Sequence, residues 1–223
     1  MSTIPKIDVR PPNKPWVKLE KSDDRSALAY FLSDPNTKVP IRDVSNKNDP
    51  KPDPNVETET FGLFSYCHRK MRKSMVENGV NRLFFCTRRR EQYVDDNGKK
   101  RFKGKRVIAG YYRIGWYYEI EKDDFMLAAC ESRFINPGYP LEMLKEFVGD
   151  ESIAKKFRDY KYLNPEITKR LTFLMNATPN KIDDYISEIH TYEAQAKEKH
   201  GYMYRTRKTG FNWEDAPRPM KIK

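Results

Sequence analysis

Between Arg106 and Ile120 the chain reads RVIAGYYRIGWYYEI, a β-branched and aromatic run interrupted by Gly110 and Gly115. Such residues favour the pleated, half-buried surface of a sheet. A glycine inside a run of this kind marks a bulge, a bend or the close approach of another backbone. The run therefore predicts one long bent strand, or two strands meeting near Gly115. Two shorter apolar pieces of strand length precede it, FGLFSYC at Phe61–Cys67 and RLFFCTR at Arg82–Arg88. Arg69 to Glu77, between them, predicts a short helix stopped by Asn78-Gly79. Glu91 to Lys105 contains Asp95-Asp96-Asn97-Gly98 and predicts a hairpin or an exposed loop. Phe125 to Phe134 reads as another strand, followed by the turn Asn136-Pro137-Gly138.

The positive charge is concentrated in the connections of these strands. Residues 68 to 106 hold fourteen Lys/Arg against four Asp/Glu, a local excess of ten in a chain whose net charge is +11. A face charged only for solubility would mix the signs more evenly. The excess points to a polyanion or an acidic surface as partner.

Both ends read differently from the centre. Met1 to Pro15 is rich in proline and predicts an extended arm. Trp16 to Leu19 reads as a short strand or a docking anchor. Ser22, followed by Asp23 and Asp24, predicts a helix start, with RSALAYFL carrying the helix to about Ser33 and Asp34-Pro35 ending it. Residues 36 to 60 read as a long loop, which places a soft boundary near residue 58. Beyond residue 140 the chain reads as helical. Pro140 to Phe147 predicts a short helix, and Asp150 caps another over Glu151 to about Tyr162. Asn164-Pro165 supplies an N-cap with proline at the first helical position. Ile167, Leu171, Leu174 and Met175 then share one face. Thr178-Pro179 repeats that start, and Ile182, Ile186 and Ile189 line a last helix ending near His200-Gly201. The expected organisation is an N-terminal arm, helix and loop over 1–58, a central β-domain over 59–140, and a helical region with a basic tail over 141–223.

The order FSYC, polar helix, LFFCT, loop, RVIAGYYRI resembles the PUA-like superfamily, in its EVE and YTH branches. The likeness covers roughly residues 59 to 140, with Leu83–Thr87 as one family strand and Val107–Tyr112, including Gly110, as the next. The resemblance implies an α+β protein, a small bent β-barrel with flanking helices. It also implies a base, sometimes a modified one, held in an aromatic-walled pocket beside the first strand's end. Ser65 and Tyr66 would border that pocket, and Arg69, Lys70, Arg72 and Lys73 would meet phosphates. Members of these branches usually carry a tryptophan near the first helix or second strand. Between Cys67 and Leu83 this chain has none. Trp116, with Tyr117 and Tyr118, would then supply the wall.

Stacking on aromatics holds single-stranded or flipped bases at about 1–3 kcal/mol each, while lysine and arginine neutralise phosphate. Arg88, Arg89, Arg90, Lys103 and Lys105 join the expected contacts on that ground. The leading expectation is a nucleic-acid-binding module, without choice between DNA and RNA and with no cofactor or metal. Two alternatives stand beside it. One is a nucleic-acid-processing enzyme using the acidic turn after Ile120, with carboxylates such as Glu119, Glu121, Asp123 and Asp124 holding a metal and cleavage lost on changing Asp123 and Asp124. The other is a protein-interaction module that forms a homo-oligomer through its C-terminal helices. Cys67, Cys86 and Cys130 lie in apolar runs without metal-ligand spacing and read as reduced, buried thiols of a cytoplasmic protein. No run approaches the roughly 18 apolar residues of a membrane span, and MSTIPKIDVRPPNKPW lacks the apolar block of a signal peptide. No phosphate-cradling glycine loop, dinucleotide fingerprint or nucleophile elbow is present.

Overall fold

A computed structural model describes residues 16–20, 22–31, 33, 62–64, 68–89, 91–143, 160–200 and 220–221. In chain order the strands are β1 (Val17–Lys18), β2 (Ser22–Phe31), β3 (Leu63–Phe64), β4 (Val80–Arg88), β5 (Glu91–Val94), β6 (Lys100–Lys103), β7 (Arg106–Glu121), β8 (Asp124–Pro140), β9 (Tyr160–Leu163) and β10 (Met220–Lys221). The helices among the described residues are α1 (Arg69–Glu77), α2 (Pro165–Ala177) and α3 (Ile182–His200). The protein is mixed α+β, with strands dominating.

One sheet runs in the order β10-β8-β7-β4-β2-β9, with β1 added to β7 and β3 to β8. β2 runs parallel to β4 and β10 parallel to β8; the other ladders are antiparallel. The β5–β6 hairpin forms a separate two-stranded sheet. β7 and β8 are the long central pair, and they bend through register shifts. Gly110 and Gly115 both sit at these shifts. A Cβ on Gly110 would press on the Arg133 carbonyl oxygen and come within 2.7 Å of Phe134 Cδ1, while one on Gly115 would lie 2.9 Å from Cys130 Cβ. The bend therefore uses glycine where two backbones close up. The Asn136-Pro137-Gly138 turn does not end its strand. It lies inside β8, where five residue steps from Phe134 to Tyr139 oppose two from Gly110 to Ile108.

Helices cover both faces of the sheet. On one side Met71 and Met75 of α1 and Ile182 and Tyr185 of α3 pack on Ala27, Ala29, Leu83, Phe85, Tyr112 and Phe134. On the other, Ile167, Leu171 and Met175 of α2 pack on Leu28, Phe84, Cys86, Ile108 and Tyr111. Phe85 is the hub of the first layer, edge-on to Tyr112 at 4.7 Å and stacked with Phe134 at 6.0 Å. Burying each such side chain stabilises by about 1.5–3 kcal/mol.

This layering accounts for three departures from the sequence reading. The segment expected as a helix from Ser22 to Ser33 is strand β2. It lies between β4 and β9 with both faces covered, so Ala27, Leu28, Ala29 and Phe31 are all buried. A short apolar run buried on two sides carries no alternation to separate it from a helix. The helix expected to reach Tyr162 is strand at its end: Tyr160–Leu163 forms β9 against β2. Residues 151–159 lie outside the described part. Finally, the expected barrel does not close among the described residues. β9 and β10 end the strand path without a ladder between them. Closure would need one face turned inward, whereas here each face takes its own helical layer. The sheet thus joins β2, from before residue 58, to β4, and β9, from beyond residue 140, to β2.

Other elements follow their local signals. The Asn78 N–H returns to Ser74 O at 3.0 Å, and Gly79 leaves α1 at φ 64°. Asn164 Oδ1 accepts from Ile167 N at 2.9 Å to cap α2, with Pro165 first in the helix. Leu174, expected on the apolar face, is half-buried. At α3 the cap moves from Thr178 to Asn180, whose Oδ1 accepts from Ile182 N at 3.2 Å and from Phe134 N at 3.0 Å. That second bond fixes the helix start on β8. The loop expected at 36–60, the end of the helix expected at Pro140–Phe147, and residues 201–219 of the basic tail lie outside the described residues.

Candidate nucleic-acid interface

The C-terminal end of β4 and the start of β7 lie side by side, with Arg88 opposite Arg106 in the ladder. Arg88 Nε donates to Gly104 O at 3.1 Å, and Ser33 Oγ donates to Arg88 O at 2.8 Å. The Arg89 N–H donates to Lys105 O at 3.0 Å, and its guanidinium donates to Asn136 Oδ1. The Arg106 guanidinium lies 6.0 Å from the Tyr30 ring centre. Backbone oxygens, the Asn136 amide and the Tyr30 ring are among the groups that hold these arginines in place. Lys105 and Lys103 are exposed beside them. The structure brings together Arg88, Arg89, Lys103 and Lys105 of the expected contacts; Arg90 lies outside the described residues.

The β5–β6 hairpin leaves the sheet between these arginines. Asp95 Oδ1 accepts from Asn97 N at 3.0 Å and Lys99 N at 2.9 Å, and Gly98 takes φ 72° to close the turn. Asp95 Oδ2 also accepts from Arg101 Nε at 2.9 Å. That bond, with the two amides, holds the Asp95 carboxyl below its usual range.

The basic helix behaves differently from the sequence reading. Arg72 is 1% exposed, and its Nη2 lies 2.5 Å from Oδ1 of the fully buried Asp124. Its Nε donates to Phe125 O at 2.6 Å. Arg69 donates to Lys122 O at 2.7 Å and Asp123 O at 3.3 Å, and Lys73 Nζ lies 2.9 Å from Asp123 Oδ1. The Lys73 hydrogen bond holds the Asp123 carboxyl low and raises the Lys73 ammonium. Thus Arg69, Arg72 and Lys73, expected on phosphate, clamp α1 to the β7–β8 turn, and Arg72 has no surface to offer. The same contacts occupy Asp123 and Asp124, two of the four carboxylates expected to hold a metal. Lys70 alone of the four is exposed with no side-chain hydrogen-bond or ion-pair partner among the described residues. No group of three or more His, Cys, Asp or Glu among the described residues is placed to hold a metal ion.

Trp116 is half-buried. It packs with Trp16 and Ile120 against Leu63, Tyr118, Met126 and Ala128 and lies opposite Lys18 of β1. Tyr118 is buried there, and Tyr117 packs edge-on to Phe125 at 5.8 Å. These rings build core rather than an open stacking wall. Ser65, Tyr66 and Cys67 lie outside the described residues. Cys86 is buried, which pushes its thiol up to about 12, and burial also raises Cys130.

Sequence reasoning missed a row of charges on the α2 side of the sheet. Arg82, Arg113 and Glu131 lie level across β4, β7 and β8, with Arg113 Nη1 2.5 Å from Glu131 Oε1. Arg133 donates to Met175 O, Asn176 O and Thr178 O, closing the C-terminal end of α2. Alternation along β7 and β8 could have placed Arg113 and Arg133 on one face, but no local signal names their partners. Protein-family models, curated proteins and solved structures gave no match to this chain.

Proposed function

We propose that the protein is a nucleic-acid-binding module whose contact surface is the basic end of the sheet, formed by the end of β4, the start of β7 and the hairpin between them. The observation that carries this reading is the charge of that one continuous stretch. Residues 88 to 106 hold nine Lys/Arg against three Asp/Glu. Lys99, Lys100, Lys103 and Lys105 are exposed, and Arg88 faces Arg106 directly. Like charges opposite one another in a ladder destabilise a sheet, and a phosphate between them relieves that cost. The base-reading pocket of the family resemblance is a refinement of the same proposal and rests on Ser65 and Tyr66. The test is fluorescence anisotropy with labelled single-stranded and duplex DNA and RNA, with and without modified bases, across a salt series. The reading expects a log–log salt slope of about −3 or steeper, with Arg88→Ala and Lys105→Ala each reducing it by about one. Absence of binding at low salt to every strand tried would sink it.

A further inference from the structure

We infer that the β5–β6 hairpin is a reading ribbon that enters the major groove of duplex DNA. The inference rests on the proposed nucleic-acid function and adds to it the element that docks and the form of the partner.

The ribbon is built to project. Among the described residues it pairs with no strand of the main sheet. Tyr93 is 42% and Val94 61% exposed, so no described element covers these two side chains. An isolated two-stranded hairpin is marginal in water. This one is stiffened at its tip by the Asp95 bonds to Asn97 N, Lys99 N and Arg101. Order fixed before binding lowers the cost of binding.

Its two faces differ. Tyr93 pairs with Arg101 and Val94 with Lys100, so alternate positions define the faces. On the first face Arg101 is committed to Asp95, and Lys103 lies over the Tyr93 ring at 5.8 Å. The second face carries Phe102, opposite Gln92, and three exposed residues, Gln92, Val94 and Lys100, whose side chains have no hydrogen-bond or ion-pair partner among the described residues. These three residue types match base edges in the major groove. Glutamine pairs with adenine N6 and N7, lysine with guanine O6 and N7, and an apolar side chain with the thymine methyl. Asp96 is an exposed acid at the turn, outweighed by the lysines around it.

Dimensions select the partner. Paired strands lie about 4.8 Å apart, and the major groove of B-form DNA, about 12 Å wide, admits a two-stranded ribbon. The deep, narrow major groove of A-form RNA does not. With the ribbon in the groove, Arg88, Lys105 and Arg106 at its root stand where the flanking phosphates pass.

The experiment uses the full chain, a mixed-sequence DNA duplex, the RNA duplex of the same sequence and the single strand. Three variants accompany it: Gln92→Ala with Lys100→Ala, Arg88→Ala alone, and a shortened hairpin with residues 92–102 replaced by Asn-Gly. A thermal melt of each confirms an intact sheet. The expected result is DNA duplex bound at least about tenfold more tightly than RNA duplex or single strand. The shortened hairpin and the double variant should each lose on the order of tenfold or more. Methyl green, which occupies the major groove, should displace the protein, and netropsin, which occupies the minor groove, should not. Binding that survives hairpin shortening, favours RNA or single strands, or yields to netropsin overturns the ribbon inference while leaving the nucleic-acid reading standing. No binding to any strand, by the full chain or any variant, overturns both.

Discussion

Arg72 in α1 and Asp124 at the start of β8 form an ion pair with both side chains sealed from solvent, Nη2 to Oδ1 at 2.5 Å. The pair bolts the helix to the β7–β8 turn, and Arg72 Nε adds a bond to Phe125 O. Breaking a buried pair leaves one charge uncompensated, at a cost of about 3–5 kcal/mol. Asp124→Ala is therefore expected to lower unfolding free energy in urea by that order. Arg72→Met combined with Asp124→Leu should recover most of the loss, because neither charge is then stranded. A double variant as weak as the single one would contradict the ion-pair account.

Gly110 of β7 lies against Arg133 and Phe134 of β8. Adding a methyl group drives Cβ against the Arg133 carbonyl and the Phe134 ring. Neither can retreat easily, since Phe134 stacks on Phe85 and Arg133 is bound to the end of α2. Gly110→Ala is expected to cost about 1–3 kcal/mol through overpacking, measured by denaturant melts. Gly98→Ala, at the open hairpin turn, meets no atom within 4 Å but keeps φ at 72°, so its cost is backbone strain alone.

The contrast between α1 and β2 marks how far the sequence could be read. Asn78-Gly79 and Asp95–Gly98 are local punctuation, and they fixed the end of α1 and the hairpin turn. β4 and β7 were legible from their β-branched and aromatic content. β2 was not, because its partners β4 and β9 lie far along the chain and its apolar run has no period. At the candidate site the sign and clustering of charge were visible, but the partners were not. Lys73 and Asp123 are fifty residues apart in sequence and 2.9 Å apart in space, so two expected sites turn out to satisfy each other. Arg88, whose Nε is bound to Gly104 O, and Lys105 are both exposed, and both enter the proposed surface.

Arg133 closes the C-terminal end of α2 with three bonds, to Met175 O at 2.6 Å, Asn176 O at 3.0 Å and Thr178 O at 2.6 Å. The carbonyls of a last helical turn run short of intrahelical partners; Met175 O also accepts from Thr178 N at 3.3 Å, and a hydrogen bond from a charged donor contributes about 1.5–3 kcal/mol. Arg133→Met should destabilise by several kcal/mol on that scale. Hydrogen exchange should rise at the end of α2 before it rises in β4. Arg133→Lys, a single point donor, should fall between. Equal stability of the methionine variant and the parent would rule out the clamp.

Asp95 gives the hairpin a pH dependence of definite sign. Its carboxyl is held low first by the Arg101 hydrogen bond and then by the Lys99 amide, with a smaller contribution from Asn97. A carboxyl lowered on folding stabilises the turn above its unfolded value of about 3.9. The contribution is lost as pH falls through the lower folded value. The amide resonances of Asn97 and Lys99 should therefore titrate together with a midpoint below 3.9 and stay flat from pH 5 to 8. In Asp95→Asn the side-chain oxygen still accepts from both amides, but the carboxylate attraction for Arg101 is gone. The titration should vanish while the turn persists. A midpoint at or above the ordinary value would mean that the Arg101 contact does not form in solution. The tip would then lack the stiffening that presents Gln92, Val94 and Lys100 as one face.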